Sequence, residues 1–119
     1  MFFSSNDKEQ KNCLALLHAV LLIFKANINP PVFIKMGQES FIRTLTAGLS
    51  SNPLFIPKAE SMDYLEVTSI LRNCSDFYKR SYAQTLSSAF NETGNSFESK
   101  EVLMKIAYDS DIPMNYFRL

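Results

Sequence analysis

The side chains able to do chemistry are few, and their spacing argues against a catalytic centre. His18 is the single histidine, and it lies inside the apolar run Cys13-Leu-Ala-Leu-Leu-His-Ala-Val-Leu-Leu-Ile-Phe24. An imidazole can serve as a general base or as a proton switch near neutral pH. The competing role is structural, a core histidine bonded to a backbone carbonyl, and the apolar surroundings favour it. The two thiols, Cys13 and Cys74, do not complete a nucleophilic pair with it. Cys13 precedes His18 by five residues, so on one helix the two point in different directions, and nothing in the sequence brings Cys74 near.

Other chemistries lack their residues. One histidine and two separated cysteines cannot build a structural zinc site, and no oxygen-rich calcium loop is present. Gly37, Gly48 and Gly94 are too far apart for a phosphate-cradling turn. The acidic pairs Glu98/Glu101 and Asp109/Asp111 fit charges at a helix start and a helix end. The expectation is a chain with no enzymatic activity, no cofactor and no metal.

Two features fit recognition better. Glu60, Asp63 and Glu66 recur every three residues, with Tyr64 among them, and would form a compact acidic ridge near a helix start. The same carboxylates would also interact favourably with the helix dipole, which is their structural reading. The second feature is the C-terminal tail, where Ile112, Met114, Tyr116, Phe117 and Leu119 fall within eight residues. Left exposed they would form a sticky patch. The tail therefore either folds back over the protein, the favoured reading, or meets a partner through Tyr116 and Phe117.

These groups must be positioned by helices. The apolar run is too short to span a bilayer, which takes about 20 residues, and too apolar all round for a surface helix. It predicts a central helix from about Asp7 to Ala26, opened by a capping box of Asn6 and Glu9. Asn29 is the expected N-cap of a second helix, with Pro30 at its first position. Gly37 should delay its regular part until near Gln38. Ile34, Phe41, Ile42, Leu45 and Leu49 supply its buried face. Ser50-Ser51-Asn52-Pro53 should end it, and Leu54-Phe55-Ile56 should follow as a connector plugging the core.

Pro57 is the next expected helix start. Residues 57–92 are compatible with one helix or with two, broken at Asn73-Cys74-Ser75 with Ser75 as cap. Gly94 suits the turn after that segment. Asn95 with Glu98 suggests a capping box for a last helix through about Tyr108, with Val102, Leu103, Ile106 and Ala107 as its buried stripe. The fold class is all-α, a single compact bundle of four to six helices around a central apolar helix, with residues 1–119 as one helical domain.

Composition supports that reading. The chain is 46% hydrophobic and 20% charged, with ten Phe, five Tyr and no Trp, a globular balance. At 119 residues it should expose roughly 6,500 Å² when folded, enough burial for a core without disulfides. Twelve basic residues balance twelve acidic ones, which disfavours nucleic acid as a partner, since phosphate neutralisation needs a basic excess. Asp7 and Glu9 cancel Lys8 and Lys11 ahead of the apolar run, so it does not read as a secretory signal. A cytoplasmic protein with reduced cysteines and no membrane contact is expected.

In size, helical content and lack of a catalytic signature, the chain resembles the small all-helical immunity proteins with which bacteria neutralise a cognate toxin. That resemblance implies a cytoplasmic, non-catalytic, stoichiometric inhibitor that covers the toxin's active site, a nuclease cleft being one target. It carries over no functional residues. The contact residues, Glu60, Asp63, Tyr64, Glu66, Tyr116 and Phe117, are instead drawn from the ridge and the tail. The alternative is a self-associating structural or regulatory bundle, a homodimer using the apolar tail.

Overall fold

Six consecutive residues, Leu14 excepted from the run that begins at Ala15 and ends at Val20, are buried in the first helix. Successive helical residues are about 100° apart, so six in a row exclude water from every side of the helix. A computed structural model describes residues 2–49 and 52–119, and their side chains from residue 8 onward. The described residues form six α-helices and one 3₁₀ turn, with no strand among them. The helices are α1 (Phe2–Ala26), α2 (Val32–Leu49), α3 (Phe55–Glu60), α4 (Tyr64–Arg72), α5 (Asp76–Asn91) and α6 (Phe97–Asp109). The 3₁₀ turn is Met114–Tyr116.

α1 is the hub and touches each of the other five helices. Val20 and Ile23 pack with Leu71, Leu86, Leu103 and Ile106 in the main core. Leu17 faces the other way, onto Phe55 and Ala59 of α3. The Ser99 hydroxyl, fully buried, donates to the Ile23 carbonyl near the end of α1 at 2.7 Å, which fixes α6 along the hub.

The helix boundaries depart from expectation where capping was read from residue type alone. α1 is already helical at Phe2, so Asn6 lies inside it and is not an N-cap. Asn29 has φ 52°, a left-handed conformation that Asn tolerates better than most residues. It turns the chain and does not cap α2. α2 begins after both prolines, with the Pro31 carbonyl accepting the Lys35 N–H at 3.0 Å, and Gly37 sits within regular helix. The expected connector at 54–56 is partly helical: Phe55 is buried and opens α3, while Leu54 is exposed. The proposed end of α2 at Ser50-Ser51 falls outside the described residues.

The segment 57–92 is neither one helix nor two, because α3, α4 and α5 divide it. Pro57 is the third residue of α3, where its missing N–H forfeits no intrahelical bond. Asp63 caps α4, accepting from the Leu65 and Glu66 N–H groups. Ser75 caps α5 as expected, through the Tyr78 N–H. After α5 the chain turns through Gly94 and Asn95, at φ 68° and 64°. Ser96, not Asn95, then caps α6 through the Ser99 N–H at 3.2 Å. An asparagine in left-handed geometry cannot also supply the extended backbone of an N-cap.

The tail folds back. Ile112 and Phe117 are buried in the main core, and the Arg118 N–H donates to the Ser87 hydroxyl at 2.9 Å. The Tyr116 hydroxyl donates to Asp76, and the Arg80 guanidinium lies 4.1 Å from the Tyr116 ring centroid. That close bond, and then Arg80, hold the Asp76 carboxyl below the usual carboxylate range. No helix among the described residues is long and apolar enough to cross a membrane.

Candidate functional site

The most developed surface site lies where α6 ends. Asp111 has φ 53°, and the Asp111 and Ile112 N–H groups return to the Tyr108 and Ala107 carbonyls. This is the paired closure of a Schellman motif, with aspartate in the position glycine usually takes. Arg72, the last residue of α4, adds to it: its Nε and Nη2 donate to the Asp109 carbonyl at 3.2 and 2.7 Å. A cation at a helix C-terminus also offsets the negative end of the dipole.

Beside this closure, α4 and α6 are joined through one carboxylate. The Tyr64 hydroxyl donates to Asp109 Oδ2 at 2.6 Å, and Lys105 Nζ donates to the same oxygen at 2.8 Å. Lys105 Nζ also lies 4.9 Å from the Tyr64 ring centroid. The bond from Lys105, then that from Tyr64, hold the Asp109 carboxyl below its ordinary range. Burial, then the bond to Asp109, push the Tyr64 phenol far above its own. Tyr64 is therefore a neutral donor that braces two helices.

Turning the chain at Asp111 opens an external cleft of about 630 Å³ between α6, Arg72 and the start of the tail. Met104, Tyr108, Pro113 and Met114 give it an apolar lining, and Arg72, Asp109 and Asp111 a polar one. Tyr108 is 86% exposed, the most open of the large hydrophobic side chains described. Leu65, next to Tyr64 on α4, is also exposed.

The residues expected to form a single ridge are distributed over two helices. Glu60 is the last residue of α3, Asp63 is the cap of α4, and Glu66 lies in the first turn of α4. All three are exposed, but the chain breaks between Glu60 and Asp63, so they do not share one helical face. Tyr64 sits at the cleft's bracing carboxylate. Tyr116 and Phe117 are held by the chain itself, Phe117 in the core.

His18 is buried and its Nδ1 lies 2.7 Å from the Ala59 carbonyl oxygen. A carbonyl only accepts, so Nδ1 carries a proton and donates in this bond. The cleft that His18 lines, about 380 Å³, also contains Leu21, Leu22, Phe24, Lys25 and Glu60. None of these is a hydroxyl or thiol that a histidine base could activate. Cys13 and Cys74 are half-buried and unbonded to each other. Burial raises the pKa of both thiols, and the Cys74 Sγ donates to the Ile70 carbonyl at 3.3 Å. Neither is an activated nucleophile. Among the described residues, no three His, Cys, Asp or Glu side chains are grouped so as to hold a metal ion.

Sequence reasoning missed Tyr108, Met104 and Arg72. A signal was present: Phe97, Met104 and Tyr108 recur at helical spacing on the side of α6 away from Leu103, Ile106 and Ala107, and all three are exposed. No protein-family model matches the chain, and no curated protein or solved structure matches it.

Proposed function

We propose that this chain is a non-catalytic protein-binding module, an immunity protein that binds and neutralises a cognate bacterial toxin, with the cleft at the end of α6 as its contact surface. The observation that carries the reading is the exposure of Tyr108 beside Met104, Met114 and Arg72. Tyr, Met and Arg are the types enriched in interfaces between separately folded proteins. Tyrosine brings large contact area with few torsions to freeze. The closure of α6 and the Tyr64–Asp109–Lys105 brace hold the cleft walls, which reduces the ordering cost of binding.

Charge suggests the partner. Asp111 lines the cleft with its side chain 82% exposed, and Asp63 and Glu66 lie at the nearby start of α4. Arg72, the cation that lines the cleft, donates to the Asp109 carbonyl, and Lys105 is paired with the Asp109 carboxylate. Lys79 Nζ already lies 3.8 Å from the Asp111 carboxylate and Asp63 caps α4. A basic surface such as a nuclease cleft would therefore meet partly satisfied carboxylates, whose exposed charge would still speed association.

The test is capture of a one-to-one partner by the tagged chain, followed by assay of the partner's toxic activity with and without it. A toxin inhibited at equimolar ratio is the expected result. Tyr108→Ala should then weaken binding by about 2 kcal/mol without altering thermal stability. Glu60→Lys with Glu66→Lys should slow association. Capture of a partner whose affinity is unchanged by Tyr108→Ala would remove the cleft, and a captured partner without inhibited activity would remove the immunity reading.

A further inference from the structure

α2 is apolar on two sides, and the fold uses only one. Phe41, Ile42 and Leu45 turn inward against the core, where Phe41 meets Phe24 edge-to-face at 5.7 Å between centroids. On the other side Val32, Phe33 and Met36 are 75%, 73% and 61% exposed, and Ile28, in the connector before α2, is 75% exposed. Gln38 is the one buried residue described in its eighteen. A surface helix ordinarily carries one apolar stripe, turned to its own core, so the second stripe on α2 is an uncovered face.

We propose that Ile28, Val32, Phe33 and Met36 form a homodimer contact, covered by the same face of a second copy of this chain. Three observations favour a copy over a different protein. The first is area: Ile28, Val32, Phe33 and Met36 are each more than 60% exposed, and covering four such apolar residues on each of two copies approaches the roughly 1,200 Å² at which stable interfaces begin.

The second is composition. Every member of the patch is apolar, and homodimer interfaces are the more apolar class, about 65% non-polar against about 57% for contacts between separately folded proteins. The cleft at α6 instead mixes apolar residues with Arg72, Asp109 and Asp111. A patch of this kind is its own complement across a two-fold axis. The third is charge. The chain has no net charge, so copies approach without long-range repulsion. The exposed Lys35 and Glu39 flank the patch with opposite signs, so each can meet its opposite on the copy.

The experiment is sedimentation equilibrium of the full chain from micromolar to several hundred micromolar, with light scattering as a second mass measurement. The expected result is a reversible monomer–dimer equilibrium, rising from 13.6 kDa to twice that mass. Phe33→Asp and Met36→Asp, at positions already open to water, should weaken dimerisation at least 30-fold while leaving the circular dichroism and melting temperature of the monomer intact. Tyr108→Ala, at the other surface, should leave it unchanged. A mass that stays monomeric across the range overturns the proposal, as does a dimer that persists in Phe33→Asp.

Discussion

Replacing Phe117 with alanine tests whether the last residues of the chain belong to its core. The ring is 8% exposed, in the same cluster as Tyr82, Leu86 and Ile112. Removing a buried phenylalanine costs its transfer energy and leaves a cavity, together 3–5 kcal/mol in well-fixed sites. Phe117 follows the 3₁₀ turn and lies outside any α-helix, where the backbone can relax into the space, so the lower figure applies, about 3 kcal/mol. For a chain of this size that is a fall of roughly 10 °C in melting temperature, or about 1.5 M in urea midpoint. Circular dichroism during urea titration measures it, at several protein concentrations so that dissociation is separated from unfolding. Tyr116→Phe is the control, because its hydroxyl meets the open Asp76 carboxylate, and it should change the midpoint little. A loss below about 1 kcal/mol for Phe117→Ala, within the range of an ordinary surface substitution, would refute the placement of the tail in the core.

Two further predictions concern polar groups. Ser99 and Ser110 are both fully buried near the ends of α6, but Ser99 bonds the Ile23 carbonyl while the Ser110 hydroxyl has no protein partner. Ser99→Ala should cost about 1 kcal/mol and Ser110→Ala should be neutral or stabilising, and urea midpoints of opposite order would contradict this. Asp109 and Asp76 are held below the ordinary carboxylate range by Lys105 with Tyr64, and by Tyr116 with Arg80. The folded state therefore binds their protons more weakly than the unfolded chain does. Their contribution is present above the unfolded value, about 3.9, and is lost as pH falls through the lower folded values. Urea midpoints should drop below about pH 4, and Asp109→Asn should flatten that drop; an unchanged profile would show that the carboxylate is not held as described.

What could be read in the sequence was whatever a single local rule controls. The central helix was legible because the run from Ala15 to Phe24 is too apolar to face water on any side. The break at Ser75 was legible because a serine hydroxyl there can hold a free N–H of the next helix. Capping at Asn29 and Asn95 was misread because asparagine suits both N-caps and left-handed turns, and these two take φ 52° and 64°, whereas Asn6 was misread because α1 begins earlier, at Phe2. The acidic spacing at Glu60, Asp63 and Glu66 was legible as a pattern but not as a surface, since Asp63 ends the helical periodicity by capping α4. The cleft was hidden for a different reason. It needs Arg72 on α4 to reach a carbonyl of Asp109, thirty-seven residues away, and no local rule couples those positions.

The two apolar surfaces have one physical origin and two separable uses. α2 and α6 each carry hydrophobic residues on both sides, more than one core can cover. The α2 surface lies by the start of α6, because Gln38 donates to the Glu92 carbonyl at 3.4 Å and Ile34 packs toward Gly94. The cleft lies at the other end of α6, thirteen residues on, or about 20 Å along the helix axis. That distance exceeds the reach of any one side chain. The residues of the α2 patch and those lining the cleft share no member, so each surface can be altered alone. Tyr108→Ala should then lower partner capture without changing the dimer, and Phe33→Asp should do the reverse. If either substitution abolished both, the two surfaces would form one contact, and the division drawn from their composition would fail.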